Sequence, residues 1–165
     1  MTLALPDPET LCAELVRQLK PNVNAETALV GIHTGGAWLA ERLHQALEIM
    51  LPMGLLDISF YRDDFDKTGL HPQIKPTQIP FDVEGRHILL VDDVLYTGRT
   101  VRGAMNELFD YGRPASISLA VLIDRGGREL PVAAQYVGAS LEVPTNLMLV
   151  LDRSENGKLR LKLDA

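Results

Sequence analysis

Two adjacent carboxylates, Asp92 and Asp93, close the apolar run HILLVDD, and a Thr-Gly pair, Thr97-Gly98, follows four residues after the second acid. A solvated strand end would explain two like charges side by side. So would a site for a ligand that is both polyhydroxylated and phosphorylated. From Val94 to Thr100 the chain must loop tightly into a helix, and Gly98 permits backbone geometry that a side chain would oppose. Free N–H groups at such a turn form an anion nest, and the hydroxyls of Thr97 and Thr100 add neutral donors, which suits a terminal phosphate. The chain has neither a G-x-x-x-x-G-K-[ST] loop nor a G-x-G-x-x-G fingerprint. Carboxylates beside a phosphate cradle fit ribose 2′- and 3′-hydroxyls, or Mg²⁺, which takes carboxylate, phosphate and water oxygens. Consecutive side chains on a strand point to opposite faces, so the two aspartates face one way only if the strand has already ended; otherwise one of them is structural.

These residues need a frame. The segment PDPETLCAELVRQL opens a helix at Asp7 or Pro8, with Glu9 in its first turn and a stripe of Leu11, Leu15, Val16 and Leu19. A strand in ETALVGI runs into the turn HTGG at 33–36, an amphipathic helix follows over AWLAERLHQAL, and GLLDISFYR forms a second strand. This β-turn-α-β order argues for a parallel sheet. Residues 62–86 hold three prolines and mixed charge, too long for an ordinary connection: a surface excursion or a functional loop. RHILLVDD has the continuous apolar pattern of a strand buried on both faces. A helix is expected over 99–111, with Gly112 as its C-cap. SISLAVLIDR is the next buried strand, and AQYVG, LMLVLD and KLRLKL complete an open α/β sheet with a β-rich tail. Ligands of such sheets bind beyond the C-terminal strand ends. Three turns lie there: HTGG, DDVLYTGRT at 92–100 and DRGGREL at 124–130.

Composition sets the outer limits. The 165 residues suit one domain, 46% hydrophobic content is enough for one core, and a net charge of −6 disfavours nonspecific nucleic-acid binding. The single cysteine, Cys12, excludes an internal disulfide and offers no metal-ligand spacing. No apolar run reaches the length of a membrane span, and the acidic, Pro-interrupted start is not a signal peptide, so a cytoplasmic protein is expected.

An apolar strand, D-D and a T-G-x-T turn together resemble the 5-phosphoribosyl-1-pyrophosphate (PRPP) motif of type I phosphoribosyltransferases. LLVDDVLYTGRTVRGAMNELFDYGRPASISLAVLIDRGGRELP, with DISFYRDD upstream, is similar to the PyrR group of that family from about residue 26 to 140. The resemblance implies the type I phosphoribosyltransferase fold, a mostly parallel sheet flanked by helices with a long flexible loop, in a single domain over 1–165. It implies transfer from PRPP to uracil, giving UMP and pyrophosphate, with Mg²⁺ as cofactor, in a homodimer or higher homo-oligomer. Asp92 and Asp93 would meet the ribose hydroxyls and, through PRPP and water, the metal. Val94 and Leu95 would bind substrate together with the 5-phosphate turn of Tyr96, Thr97, Gly98, Arg99 and Thr100. Thr34 and Gly35 would receive pyrophosphate, 62–86 would close as a lid, and Arg125, Gly126 and Arg128 would lie near the base. Tyr96 stands where purine-using relatives commonly carry a carboxylate, which points to a pyrimidine. In HTGG, His33 and Gly35 replace the lysine and arginine of the family's KTRG, two lost cations for which Arg62 or a partner-subunit residue would compensate. Gly127 replaces a histidine common in the group.

Many PyrR proteins also bind the leader RNA of pyrimidine operons, which makes a UMP-sensing attenuator with vestigial catalysis the alternative reading. RNA affinity needs phosphate-facing Lys and Arg. Residues 1–60 offer only Arg17, Lys20 and Arg42 against seven acids. The other candidates are Arg113, Arg125, Arg128, Arg153, Lys158, Arg160 and Lys162, which a solvated surface explains equally well. A phosphoribosyltransferase for a different base is the third possibility.

Overall fold

The structure, a computed structural model, describes residues 3–58 and 77–165. Arg62 and positions 62–76 of the expected 62–86 loop lie outside the described residues. Helix α1 (Pro8–Leu19) is followed by β1 (Ala28–Ile32), α2 (Gly35–Ala46), β2 (Gly54–Leu56), β3 (His87–Leu95), α3 (Arg99–Phe109), β4 (Ser116–Asp124), β5 (Tyr136–Ser140), β6 (Met148–Arg153) and β7 (Leu159–Asp164). Strands β1 to β5 make one all-parallel sheet in the order β2-β1-β3-β4-β5, and β6 and β7 pair as a separate antiparallel hairpin. The expected β-rich tail is therefore that hairpin alone, because β5 joins the main sheet.

The strand runs explain the layering. Every residue of β1 is buried, as are Ile88–Asp92 of β3 and Leu119–Ile123 of β4, which is the pattern of parallel strands covered on both faces. One face packs α1, α2 and the hairpin through Leu11, Leu15, Leu19, Leu39, Leu43, Leu149 and Leu151. The other packs α3 through Val101, Ala104 and Leu108, joined by Ile79, Phe81 and Val83 from the run before β3. That run is moored at its root: Leu55 and Gln78 exchange two backbone hydrogen bonds (2.7 and 2.8 Å), and the Asp57 N–H donates to Thr77 Oγ1 at 3.2 Å.

Helix α1 begins at Asp7, whose carboxylate accepts the Glu9 N–H at 3.0 Å, with Pro8 in the first turn. Cys12 is buried beneath it, and burial pushes its thiol up to about 11. Helix α3 ends at Phe109, short of the expected 111. Its last turn tightens, with the Asp110 N–H reaching Glu107 O and the Tyr111 N–H reaching Leu108 O, so the helix is spent before Gly112. Strand β5 starts two residues later than AQYVG suggests, because Gln135 bonds β4 with its side chain as well as its backbone.

A polar staple joins the α1–α2 layer to the hairpin. Arg42 forks onto Glu9 (2.6 and 3.0 Å) and donates to Gly157 O at 2.6 Å, while Glu9 also accepts the Leu159 N–H at 3.1 Å. The Arg42 guanidinium holds the Glu9 carboxyl below its ordinary value near 4.5, against the opposing effect of burial. A depressed carboxylate contributes stability that is fully present above the unfolded value and lost as pH falls through the folded one. The melting temperature should therefore fall more steeply below about pH 4.5 in the native chain than in Glu9→Gln. Parallel acid limbs in the two thermal melts would show that the staple contributes nothing.

Candidate active site

In the order β2-β1-β3-β4-β5 the chain winds one way from β1 and the other way from β3. The crevice beyond the C-terminal ends of these two strands is the topological switch point where open α/β sheets bind ligands. Two of the three singled-out turns rim this crevice.

From β1, the His33–Thr34 peptide is cis, the His33 N–H pairs with Leu56 O at 2.9 Å, and Thr34 caps α2. Gly35 and Gly36 form the buried first turn of that helix. From β3, the strand continues through both acids to Leu95, so Asp92 and Asp93 alternate. Asp92 is buried, its Oδ1 accepting the Asp93 N–H at 2.8 Å; Asp93 is half-buried, its Oδ1 accepting the Val94 N–H at 2.8 Å. Both carboxylates abut the α2 turn: a β-carbon at Gly36 would stand 3.2 Å from Asp92 Oδ1, and one at Gly35 would stand 2.7 Å from Asp93 Cγ.

Tyr96 to Thr100 turn sharply into α3. Gly98 takes the left-handed conformation (φ 97°), where a β-carbon would also come within 2.5 Å of Val132 Cγ2. Thr97 is buried, with its Oγ1 accepting the Arg99 N–H at 3.2 Å. Its carbonyl accepts the N–H groups of Glu129 (2.9 Å) and Leu130 (3.1 Å), so the third turn buttresses the second. Arg99 pairs with Glu129 at 3.0 Å, both exposed, an ion pair worth little by itself. Leu95 is fully buried in the α3-side core, and Val94 packs partly against the other.

In the third turn the two arginines face inward. Arg125 is buried and donates to the carbonyls of Leu147 (3.0 Å), Pro144 (3.1 Å) and Val143 (3.2 Å), with its guanidinium carbon 3.9 Å from the Tyr96 ring centroid. Arg128 donates to Tyr96 O at 2.8 Å, to Val132 O at 3.1 Å and to Asp124 at 2.6 Å. Burial raises the Asp124 carboxyl, but Arg128 and the Gly126 N–H outweigh it and hold the group below its usual range. The Tyr96 ring also lies against the α-carbon of Gly127, where a β-carbon would stand 2.9 Å from Cδ1. Gly126 is exposed beside it. The structure thus brings Asp92, Asp93 and Gly35 together, and sets Tyr96 among Arg125, Gly127 and Arg128. Asp124 was not singled out from the sequence, although its place four residues before Arg128 is an ion-pair signal.

Among the described residues no three His, Cys, Asp or Glu side chains cluster as a metal cage. Two carboxylates beside a phosphate turn are hard oxygen donors of the kind Mg²⁺ accepts when phosphate and water complete its shell. The residues therefore fit a metal that arrives with its ligand.

A family profile described as "Phosphoribosyl transferase domain" matches residues 3–147. The chain is 54% identical over 138 residues to a protein named Bifunctional protein PyrR from Nitrosococcus oceani, covering 82% of this chain and 78% of that one. It is 48% identical over 168 aligned positions to the Bifunctional protein PyrR of Pseudomonas syringae pv. syringae, covering 97% and 96%. A solved hypoxanthine phosphoribosyltransferase from Staphylococcus aureus superposes with a TM-score of 0.67 at 26% identity, over 86% of this chain and 77% of that one.

Proposed function

The chain belongs to the phosphoribosyl transferase family, and from that premise we infer that it transfers the 5-phosphoribosyl group of PRPP to uracil, yielding UMP and pyrophosphate. The observation that carries this reading is the switch-point crevice: paired acids between a phosphate-type turn and the glycine-built first turn of α2. The 5-phosphate lies at the start of α3, received by the turn amides and the hydroxyls of Thr97 and Thr100. Asp92 and Asp93 take the ribose hydroxyls, and Thr34 and Gly35 receive pyrophosphate. Tyr96, stacked on Arg125, offers the base a phenol edge where purine-using relatives commonly carry a carboxylate, which supports a pyrimidine over a purine. Arg125 acts in this scheme by positioning Tyr96, since both of its terminal guanidinium nitrogens are engaged by backbone carbonyls.

These contacts hold the reacting atoms in line. The C1–O bond to pyrophosphate breaks with oxocarbenium character, uracil N1 forms the new bond at C1, and the N1 proton is released. Asp92 and Asp93 are the residues beside which Mg²⁺ would sit, and the metal supplies neutralisation of the departing charge.

Absorbance assays with PRPP, Mg²⁺ and a panel of uracil, orotate, hypoxanthine, guanine and xanthine check this. UMP should form from uracil alone. Absence of UMP would sink the proposal, and turnover of a purine would reassign the base.

Leader-RNA binding is the second reading, favoured by the word "bifunctional" in the relatives' name. Four of its seven candidate cations are engaged within the chain: Arg125 and Arg128 as described, Arg153 with Glu41, and Arg160 with Asp152. The geometry therefore supports the enzyme reading more strongly. A salt-titrated comparison of leader and scrambled RNA decides the matter, with equal affinities rejecting the regulator.

A further inference from the structure

Gly126 and Gly127 share a backbone conformation and differ in what surrounds them. Both are left-handed, at φ 74° and φ 75°. A β-carbon at Gly126 would meet nothing within 4 Å. One at Gly127 would overlap Tyr96 Cε1 and stand 2.9 Å from Cδ1 and 3.6 Å from Cζ. Backbone conformation alone favours glycine at both positions. Only at 127 is the volume of the missing side chain filled, and the Tyr96 ring fills it.

The same turn holds Tyr96 at its other points. The Arg125 guanidinium carbon lies 3.9 Å from the ring centroid, and that guanidinium is fixed by the carbonyls of residues 143, 144 and 147. Arg128 donates to the Tyr96 carbonyl at 2.8 Å, and the N–H groups of Glu129 and Leu130 hold the carbonyl of Thr97. The backbone of residues 96 and 97 is thus tied to the turn, and a side chain at 127 is accommodated by swinging the ring. Tyr96 is only half-buried, so the seated ring keeps part of its surface open to a ligand. Resting on the reading that Tyr96 faces the base, we propose that Gly127 is the positioning residue of the base site. By lacking a β-carbon it seats the Tyr96 ring on the 124–128 turn, and that seat sets the affinity for uracil. A chain with any side chain at 127, the histidine common in the group included, must hold the ring elsewhere.

Gly127→Ala and Gly126→Ala, compared on the full chain, test this. The two substitutions carry matched backbone strain, and only the first reaches the ring. Gly127→Ala should raise KM for uracil about tenfold or more, with KM for PRPP changed less than about threefold. Gly126→Ala should give a clearly smaller rise in KM for uracil. Tyr96→Ala should itself raise that KM, and Gly127→Ala should add little in its background, because both act on one ring. The tyrosine bands of the near-ultraviolet circular dichroism spectrum should change more in Gly127→Ala than in Gly126→Ala. Equal rises in the two alanine variants would overturn the proposal, by reducing residue 127 to a strained turn position. So would an effect of Gly127→Ala that persists undiminished without the Tyr96 ring. A native KM for uracil in Tyr96→Ala would instead overturn the reading that Tyr96 faces the base. If the native chain forms no UMP, the uracil reading fails and the proposal falls with it, whereas matching spectra of the two alanine variants would refute the seat itself.

Discussion

Gly98→Ala should lower kcat/KM for PRPP by roughly 100-fold or more, while the chain stays folded. The residue sits at φ 97° directly before α3, and an added β-carbon would come within 2.5 Å of Val132 Cγ2. Holding a non-glycine residue there costs about 1–3 kcal/mol, which this core can absorb. The chain's alternative is to rotate the turn, and rotation re-aims the N–H groups that open α3. Hydrogen bonds to a charged group contribute about 1.5–3 kcal/mol each, so misdirecting two of them costs about 3–6 kcal/mol. At about 1.4 kcal/mol per tenfold, that is a loss of two to four decades. Steady-state kinetics with PRPP varied at saturating uracil, beside a thermal melt, will check it. A loss under tenfold with an unchanged melting temperature would show that the turn does not hold the phosphate.

Arg125→Met should lower the melting temperature by about 5–15 °C and weaken turnover at temperatures where the fold survives. Its guanidinium makes three hydrogen bonds to the carbonyls of residues 143, 144 and 147 and stacks on Tyr96. Methionine keeps bulk and removes every donor. Pro144 is exposed, so water replaces part of what is lost, and the net cost is about 2–4 kcal/mol. For a chain of this size each kcal/mol moves the transition by about 2–4 °C. Tyr96 loses its platform in the same substitution, so KM for uracil should rise more than KM for PRPP. Equal effects on both, or a melt within 2 °C of native, would mean that Arg125 does not organise the base side.

The frame was largely legible because its physics is local. Continuous apolar runs marked β1, β3 and β4 as doubly covered strands, and Asp7 with Pro8 marked the start of α1. The limits came where distant groups decide. Arg125 and Arg128 read as ligand contacts from their place in DRGGREL. Arg128 pairs locally with Asp124, but its bond to the Tyr96 carbonyl and the bonds of Arg125 to the carbonyls of residues 143, 144 and 147 join segments that no local pattern could pair. Gly35 reads as a missing arginine; that the Asp93 carboxylate lies against it depends on β1 and β3 pairing residues 60 positions apart, Ala28 with Ile88. The half-buried pattern of β5 carries little periodic signal, and it does not show that Gln135 spends its side chain on β4 before the strand begins.

The closed root at Leu55–Gln78 and Asp57–Thr77 has an evolutionary side. Residues 55 and 78 are bonded to each other by two backbone hydrogen bonds, and residues 57 and 77 by a third contact. For any flexible segment tethered at such a root, the entropy of closure grows only logarithmically with length, by about 0.6 kcal/mol for each doubling. A closed root of this kind is a port at which changes of segment length are thermodynamically inexpensive. Descendants of this chain can vary segment length there while β1, β3 and the turns they carry stay in register.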